Sequence, residues 1–217
     1  MDVQSSTCSA SACCTPDDVL LTARIAHRLH QTCRRPEFQQ ADIFALPFPA
    51  ASFDHVFVCF VLEHLAAPDV ALAILHGLVR PGGSVTVIEG DHGSTHFYPE
   101  SPAAQAAIQC QVTLQARAGG NALIGRQLYP LLVAAGFEAV NVSPRMVYVD
   151  ASRPDLVEGF TRRTFTAMIE GVRAPALAAG LITPETFDAG VHALQRTTEA
   201  DGVFCYTFFK GVGEKAR

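Results

Sequence analysis

Hydrophobic residues follow two different spacings along this chain. Runs that are almost wholly apolar predict β-strands over 53–60 and 84–90, with further strand-like stretches at 138–148 and 202–210. Apolar residues three and four positions apart predict helices, which lie near 68–79, 101–118, 125–135, 153–173 and 183–200. The stretch 53–60 is the almost wholly apolar one, so we expect both of its faces to be buried, and 84–90, which is rich in β-branched residues, is expected to be a second buried strand. Because the strands alternate with long helices, the pattern predicts an α/β fold with a mostly parallel sheet.

The region before residue 53 carries weaker signals. Residues 1–15 are small, polar and rich in cysteine, which predicts a disordered lead-in. Thr15 and Pro16 are typical of a helix start, and an apolar stripe continues from them to about residue 31. A short strand is predicted at 37–41. Since no linker interrupts the rest, we predict one domain over 16–217 with a helical insert at about 153–200.

Composition narrows the class of protein. The 217 residues are 49% hydrophobic and 17% charged, which is typical of globular proteins and not of disordered ones. The formal net charge is -5 and no long basic run is present, so we predict no nucleic-acid partner. The N-terminus lacks the features of a secretory signal, and the longest apolar run is too short to cross a bilayer. We therefore predict a cytoplasmic protein without a membrane partner.

The cysteines are candidates for disulfides or for a metal site. There are seven of them, and an odd number without a framework spacing predicts free thiols. The candidate metal ligands near the N-terminus are Cys8, Cys13, Cys14, Cys33, His27 and His30. These residues form no CxxC pair and no zinc-ligand spacing, so we predict no metal site.

Several motifs are specific enough to compare with a known family. They are QADIFALPFP at 40–49 with SFDHV at 52–56, VLEHL at 61–65, LVRPGG at 78–83, and GRQL at 125–128 with AGF at 135–137. In this order and spacing they resemble class I S-adenosylmethionine-dependent methyltransferases that act on small molecules. The resemblance reaches from about residue 37 to residue 210. It implies a Rossmann-like sheet that is mostly parallel, with an antiparallel last strand.

The resemblance also implies a site for S-adenosylmethionine, the methyl donor. Asp42 would accept a hydrogen bond from the adenine amino group, with Ile43 against the ring. Cys59 and Phe60 would border the methionine part of the donor, and His64 would lie near the same opening. A carboxylate acceptor, a backbone donor and apolar faces are what a neutral planar base requires. Two structural roles stay open, namely Asp42 as a cap of its own loop and His64 as a packing residue.

The residues after the predicted strand 84–90 are the candidates for catalysis. In the resembling family this region faces the methyl acceptor, and a base is needed where the acceptor must lose a proton. The candidate catalytic residues are Asp91, His92 and Tyr98, and histidine titrates in the useful pH range. The alternative is that residues 91–94 form only a solvated turn. The candidate substrate-binding residues are His96, Arg126, Arg145 and Tyr148, with a structural role also open for Arg126.

A glycine-rich loop typical of the family is absent from this sequence. In the family this loop follows the first strand and approaches the donor's carboxypropyl group, whereas residues 1–40 contain no glycine. The acid that holds the ribose hydroxyls is also replaced, because the alignment puts Cys13 in its place. We therefore predict a truncated domain whose two N-terminal strands are missing or replaced. Exposed sheet edges need cover. Either the third strand pairs directly with the fourth, or another subunit fills the gap, and we predict a homo-oligomer.

Two functions remain open from sequence alone. The first is S-adenosylmethionine-dependent methyl transfer to a small-molecule acceptor, impaired by the loss of the glycine loop. The second is a protein without methyltransferase activity on a truncated methyltransferase fold. It would be a binding or oligomerising module, or a hydrolase that uses His and Asp residues of a remodelled cleft. The sequence contains neither a GxSxG elbow nor an HExxH motif, which are the usual marks of serine and zinc hydrolases.

Overall fold

The computed structural model describes residues 38–217. Several of the predictions above lie outside these residues: the disordered lead-in, the helix that starts at Thr15, the cysteine and histidine cluster, and the glycine-free segment before residue 38. The three cysteines within the described residues, Cys59, Cys110 and Cys205, are free thiols, as predicted. No helix within 38–217 is long and apolar enough to cross a membrane.

The sheet contains four strands in the described part of the chain. They are β1 (Phe53–Cys59), β2 (Val79–Tyr98), β3 (Glu138–Val149) and β4 (Val203–Glu214). Their order in the sheet is β1-β2-β4-β3, so the last strand of the chain lies between β2 and β3. β1 and β2 are parallel, with Val56 opposite Val85 and Val58 opposite Val87. The sheet holds both parallel and antiparallel strands, which confirms the predicted fold class.

Helices occur where the apolar spacing predicts them. The helices are α1 (Pro68–Leu78), α2 (Pro102–Arg117), α3 (Leu128–Ala134), α4 (Pro154–Leu156), α5 (Ala167–Gly171), α6 (Arg173–Ala178) and α7 (Pro184–Arg196). Short 3-10 turns cover Leu62–His64 and Ile124–Gln127, and a π-helix covers Val157–Thr166. Proline begins α1, α2 and α7 because its missing N–H would lack an intrahelical partner there in any case. Ser101 and Thr183 cap α2 and α7 through their side-chain oxygens.

The predicted strand at 37–41 is wrong for the residues that the structure describes, since 38–41 are irregular. The segment contains only five residues, and its neighbour Asp42 begins a turn.

The predicted boundaries of the second strand are also wrong. β2 begins at Val79 rather than at 84 and continues to Tyr98 rather than ending at 90. The Pro81–Gly83 motif forms an irregularity within the strand, where the register with β1 shifts between Phe53 and His55. Gly82 has a left-handed φ of 73°, a conformation that glycine adopts without steric cost. The strand nevertheless continues through this residue.

The expected burial of β1 on both faces is wrong as well. Val58 is 6% exposed, but Phe57 is 59% exposed, and Asp54 and His55 earlier in the strand are also exposed. Within the described residues β1 is an edge strand with β2 on one side. An apolar run therefore does not distinguish this strand from one that is covered on both faces.

The described residues group into two compact units. Unit A comprises residues 38–90, 119–145 and 208–217, and unit B comprises residues 91–118 and 146–207. The strands β2, β3 and β4 contribute residues to both units.

Unit A has a core built from β1, β2, α1 and α3. Its fully buried side chains include Leu72, Val85, Val87, Leu128 and Leu132. Burying one such side chain stabilises the folded state by about 2 kcal/mol. Lys215 donates through its ammonium nitrogen to the carbonyl oxygens of His76 at 2.8 Å and Val79 at 2.9 Å. These two bonds satisfy backbone carbonyl groups at the C-terminal end of α1.

Unit B is organised around the packing of α2 on α7. Gly190 permits the close approach of the two helices, because a Cβ at this position would collide with the carbonyl group of Ala103. Phe187 and Leu194 of α7 are fully buried. The region predicted as a helical insert, 153–200, is helical over most of its length and lies in this unit.

Candidate functional site

The turn that follows β1 in unit A has an unusual backbone. Phe60 adopts a left-handed φ of 55°, which is uncommon for a bulky residue and costs conformational energy. Its N–H donates to the carbonyl oxygen of Ile88 at 2.9 Å, which ties the turn to β2. The Phe60 side chain is 43% exposed, and its ring centroid lies 5.2 Å from that of Phe208. The turn thus presents an aromatic side chain at the carboxyl end of a parallel strand, where ligands bind in open α/β sheets.

Glu89 on β2 accepts hydrogen bonds from the backbone of this turn. Its Oε1 accepts hydrogen bonds from the backbone N–H groups of Val61 at 3.0 Å and Leu62 at 2.8 Å. The side chain is 0% exposed. Burial raises the pKa of Glu89 to about 7, although the backbone donors act in the opposite direction. Sequence reasoning missed Glu89, whose signal was a single acid at the end of the β-branched stretch 85–88.

Gly125 closes the space beside Glu89. A Cβ on Gly125 would lie 2.7 Å from the carbonyl oxygen of Gly90 and 3.0 Å from that of Glu89. Only glycine permits so close an approach, which gives the GRQL motif a packing role at its first position. Arg126, the next residue of the motif, is exposed on the 3-10 turn of unit A.

Cys59 and His64 flank the same turn. Cys59 is partly buried, and burial raises the pKa of its thiol, with smaller contributions from Glu89 and Glu63. The raised pKa keeps the thiol protonated, so Cys59 is suited to apolar contact rather than to nucleophilic attack. The His64 side chain is 55% exposed, and its Nε2 lies 3.5 Å from Oε1 of Glu63.

Asp42 and Ile43 occupy a turn before β1. Oδ1 of Asp42 accepts a hydrogen bond from the N–H of Phe44 at 2.9 Å, so the residue does cap its own loop. The Asp42 side chain is exposed, which leaves its carboxylate accessible for a further hydrogen bond. The Ile43 side chain is 9% exposed and packs in the core of unit A. Only the Ile43 backbone is therefore placed to meet a ligand.

His92 lies within β2 in unit B rather than in the predicted loop. Its Nδ1 lies 3.0 Å from the phenol oxygen of Tyr206, and its Nε2 lies 3.4 Å from the sulfur of Met168. The ring is only 6% exposed and lies among aromatic rings, including that of Phe165. The structure thus brings His92 together with Tyr206 and Met168, neither of which sequence reasoning singled out.

Asp91 is buried in the same strand, so the alternative of a solvated turn at 91–94 is wrong. The Asp91 side chain is 1% exposed. Its Oδ1 accepts from the N–H of Gly93 at 3.0 Å, and its Oδ2 accepts from the Ser94 hydroxyl at 2.9 Å. Because these local bonds satisfy the carboxylate, the polar sequence can continue as a strand.

The remaining predicted side chains are exposed and do not form one cluster in either unit. In unit B, Tyr98 is 57% exposed at the end of β2, and His96 borders a small cavity of about 290 Å³ that Glu100 also lines. Tyr148, also in unit B, is 42% exposed, and its carbonyl oxygen accepts from the Arg153 guanidinium at 3.2 Å. Arg145 is an exposed residue of β3 in unit A.

Comparisons with known proteins point in the same direction as the motifs. Residues 8–87 match the family model of the methyltransferase domain. This match confirms the resemblance to methyltransferases over that segment. The matched segment includes the turn that carries Phe60.

Individual relatives are similar over part of their length. An uncharacterized 37.1 kDa protein in a transposon of Streptomyces fradiae is 35% identical over 156 residues, which cover 71% of this chain and 44% of that protein. An uncharacterized methyltransferase of Schizosaccharomyces pombe is 32% identical over 130 residues, covering 58% of this chain and 46% of that protein. The chain thus spans less than half the length of either relative. Among solved structures, the YcgJ protein of Bacillus subtilis aligns with a TM-score of 0.45 at 14% identity, over 83% of this chain and 71% of that protein.

Proposed function

We propose that this chain binds S-adenosylmethionine at the turn after β1 and takes part in methyl transfer to a small-molecule acceptor. The observation that carries the proposal is the Phe60 turn, whose left-handed backbone and half-exposed ring lie at the carboxyl end of β1. Strained, exposed positions of this kind are enriched at ligand sites. The turn lies within the segment that matches the methyltransferase domain, which supports the choice of ligand.

The described residues fit one part of the donor. The accessible carboxylate of Asp42 suits an amino group of adenine, and the exposed ring of Phe60 suits an apolar face of the ligand. The donor supplies a methyl group on a positively charged sulfur.

Within unit B, His92 is our proposal for a group that accepts a proton. The Met168 sulfur can only accept a hydrogen bond, so in this arrangement Nε2 carries the proton and Nδ1 accepts from the Tyr206 hydroxyl. To accept a proton, His92 takes the opposite tautomer, in which Nδ1–H donates to the Tyr206 oxygen and an acceptor hydroxyl or amine replaces Met168 at Nε2. Asp91, whose oxygens already accept two local bonds, has a positioning role in this proposal, and Tyr98, His96, Arg126, Arg145 and Tyr148 remain predicted contacts.

Calorimetric titration of the purified chain with S-adenosylmethionine and S-adenosylhomocysteine tests the proposal. We expect saturable binding of both, weakened by Asp42→Ala and by Phe60→Ala. Asp69→Ala is the matched control, because Asp69 is another exposed acid of unit A, on α1, and it is not among the predicted donor contacts. Absence of binding by the unaltered chain at millimolar ligand would overturn the proposal and favour the alternative of a binding module without methyltransferase activity.

A further inference from the structure

The turn after β1 depends on one carboxyl group for its hydrogen bonds. Val61 and Leu62 stand at the beginning of the 3-10 turn 62–64, where backbone N–H groups have no partner within the helix. Both residues are buried, at 6% and 0% exposure, so solvent does not reach these groups readily. Oε1 of Glu89 accepts from both N–H groups at once. A buried polar group that loses such a partner costs free energy, which gives Glu89 control over the turn.

The strained residue lies immediately before these two amides. Phe60 has its left-handed φ of 55° and donates its own N–H to Ile88, the neighbour of Glu89 on β2. Three successive backbone N–H groups, from Phe60 to Leu62, are therefore held by two successive residues of β2. A strained conformation persists only where its surroundings fix it, and these bonds do so.

We propose that Glu89 is a positioning residue for the methyl donor: its carboxyl group fixes residues 60–62 in the conformation that presents the Phe60 ring to the ligand. The proposal rests on the proposed function, since it names the residue that shapes the donor site. Glu89 itself is fully buried and acts through the turn rather than by contact with the ligand.

The ionisation of Glu89 gives the proposal a pH dependence. Burial raises its pKa to about 7, and the titratable groups near it are Glu63 on the 3-10 turn, which raises it further, and Cys59 on β1. A carboxylate accepts backbone hydrogen bonds more strongly than a protonated carboxyl group does. We therefore expect the turn to be held more firmly, and the donor to bind more tightly, as the pH rises from 6 to 8.

Two substitutions at Glu89 distinguish the role of its oxygen acceptor from the role of its charge. Glu89→Gln keeps an oxygen acceptor of the same size for the two amides but removes the titration, whereas Glu89→Ala removes the acceptor. Thr86→Val is the control on β2, because Thr86 is a buried polar residue of the same strand that pairs with Phe57, before the turn. S-adenosylhomocysteine is the probe, since its neutral sulfur excludes direct attraction between the carboxylate and a sulfonium charge.

The first measurement uses the chain without ligand. Amide hydrogen exchange at Val61 and Leu62 should be protected in the unaltered chain, in Glu89→Gln and in Thr86→Val, and should be faster by about tenfold or more in Glu89→Ala. Equal protection in Glu89→Ala would overturn the proposal, whatever the outcome for donor binding.

The second measurement is the affinity for S-adenosylhomocysteine between pH 6 and pH 8. We expect Glu89→Ala to bind about tenfold more weakly than the unaltered chain, with Glu89→Gln close to it and independent of pH over this range. If the unaltered chain binds the probe and Glu89→Ala binds it equally well, the positioning role is wrong while the proposed function stands. If the unaltered chain does not bind the probe, the proposed function fails, and the exchange measurement alone decides whether Glu89 shapes the turn.

Discussion

His92 and Tyr206 are joined by a hydrogen bond of 3.0 Å between Nδ1 and the phenol oxygen, across 114 positions of the sequence. Both side chains are buried, at 6% and 3% exposure. Their rings meet edge to face with centroids 5.6 Å apart. Because buried polar atoms are costly unless they are hydrogen-bonded, this pair stabilises the contact between β2 and β4 within unit B.

Tyr206→Phe tests the contribution of this pair to stability. The substitution keeps the aromatic ring but removes the oxygen that faces His92 Nδ1, so we expect the free energy of unfolding to fall by about 1–3 kcal/mol. The measurement is urea denaturation followed by circular dichroism. Tyr129→Phe is the control, since Tyr129 is 56% exposed, and its loss should change stability by less than about 0.5 kcal/mol. Equal effects of the two substitutions would mean that the His92–Tyr206 bond contributes little.

Gly190→Ala tests the packing of α2 on α7. A Cβ at Gly190 would collide with the Ala103 carbonyl group, so the helices must separate, and we expect a loss of about 1–3 kcal/mol in stability. Gly159→Ala is the matched control, because Gly159 is also helical and a Cβ there meets nothing within 4 Å. This control should be neutral or stabilising by up to about 1 kcal/mol, owing to the lower entropy of the unfolded chain. Thermal unfolding of both variants distinguishes a steric effect from a general effect of replacing glycine.

The elements that sequence predicted well are those with local signals. Proline marks the start of α1, α2 and α7, and Ser101 and Thr183 cap the last two. These are local signals of a helix start, which do not depend on what packs against the helix. The apolar run of β1 likewise defines a strand. The run does not reveal that Phe57 is exposed, because burial depends on what covers the strand and not on the strand itself.

The relationships that sequence missed are long-range. Polar residues at 91–94 resemble a loop until Asp91 is seen to be satisfied by Gly93 and Ser94. Nothing local in the sequence connects His92 with Tyr206, or Glu89 with the amides of Val61 and Leu62. The family resemblance located the turn at Cys59 and Phe60 but not the carboxyl group that holds it.

The stability of the chain should depend on pH through Glu89. Its pKa is raised from 4.5 to about 7 in the folded state, so the folded chain binds a proton more tightly than the unfolded chain does. This contribution is fully present below about pH 4.5 and is lost as the pH rises through about 7, with a total of roughly 3 kcal/mol. Denaturation of the unaltered chain and of Glu89→Gln at several pH values measures it, and the variant should lack this part of the slope.

The direction of this dependence is informative because it opposes the direction expected for ligand affinity. Ionisation of a buried carboxyl group costs stability, whereas the ionised form accepts the amides of Val61 and Leu62 more strongly. The contribution of Glu89 to stability, taken as the difference between the unaltered chain and Glu89→Gln, should therefore fall between pH 5 and pH 8 while affinity for S-adenosylhomocysteine rises. A parallel fall of both would indicate that donor binding follows global stability and that the turn is not specifically controlled by Glu89.

The predicted homo-oligomer can be tested at β1. This strand lies at the edge of the described sheet and exposes 59% of Phe57, and an apolar side chain on an edge strand is a frequent site of association. We expect sedimentation at micromolar concentration to give a mass above the 23.2 kDa of one chain, and Phe57→Ser to shift it towards that value. Val70→Ser is the control, since Val70 is 48% exposed on α1. A monomeric unaltered chain would contradict the prediction, and loss of association in both variants would place the contact on a broader surface of unit A.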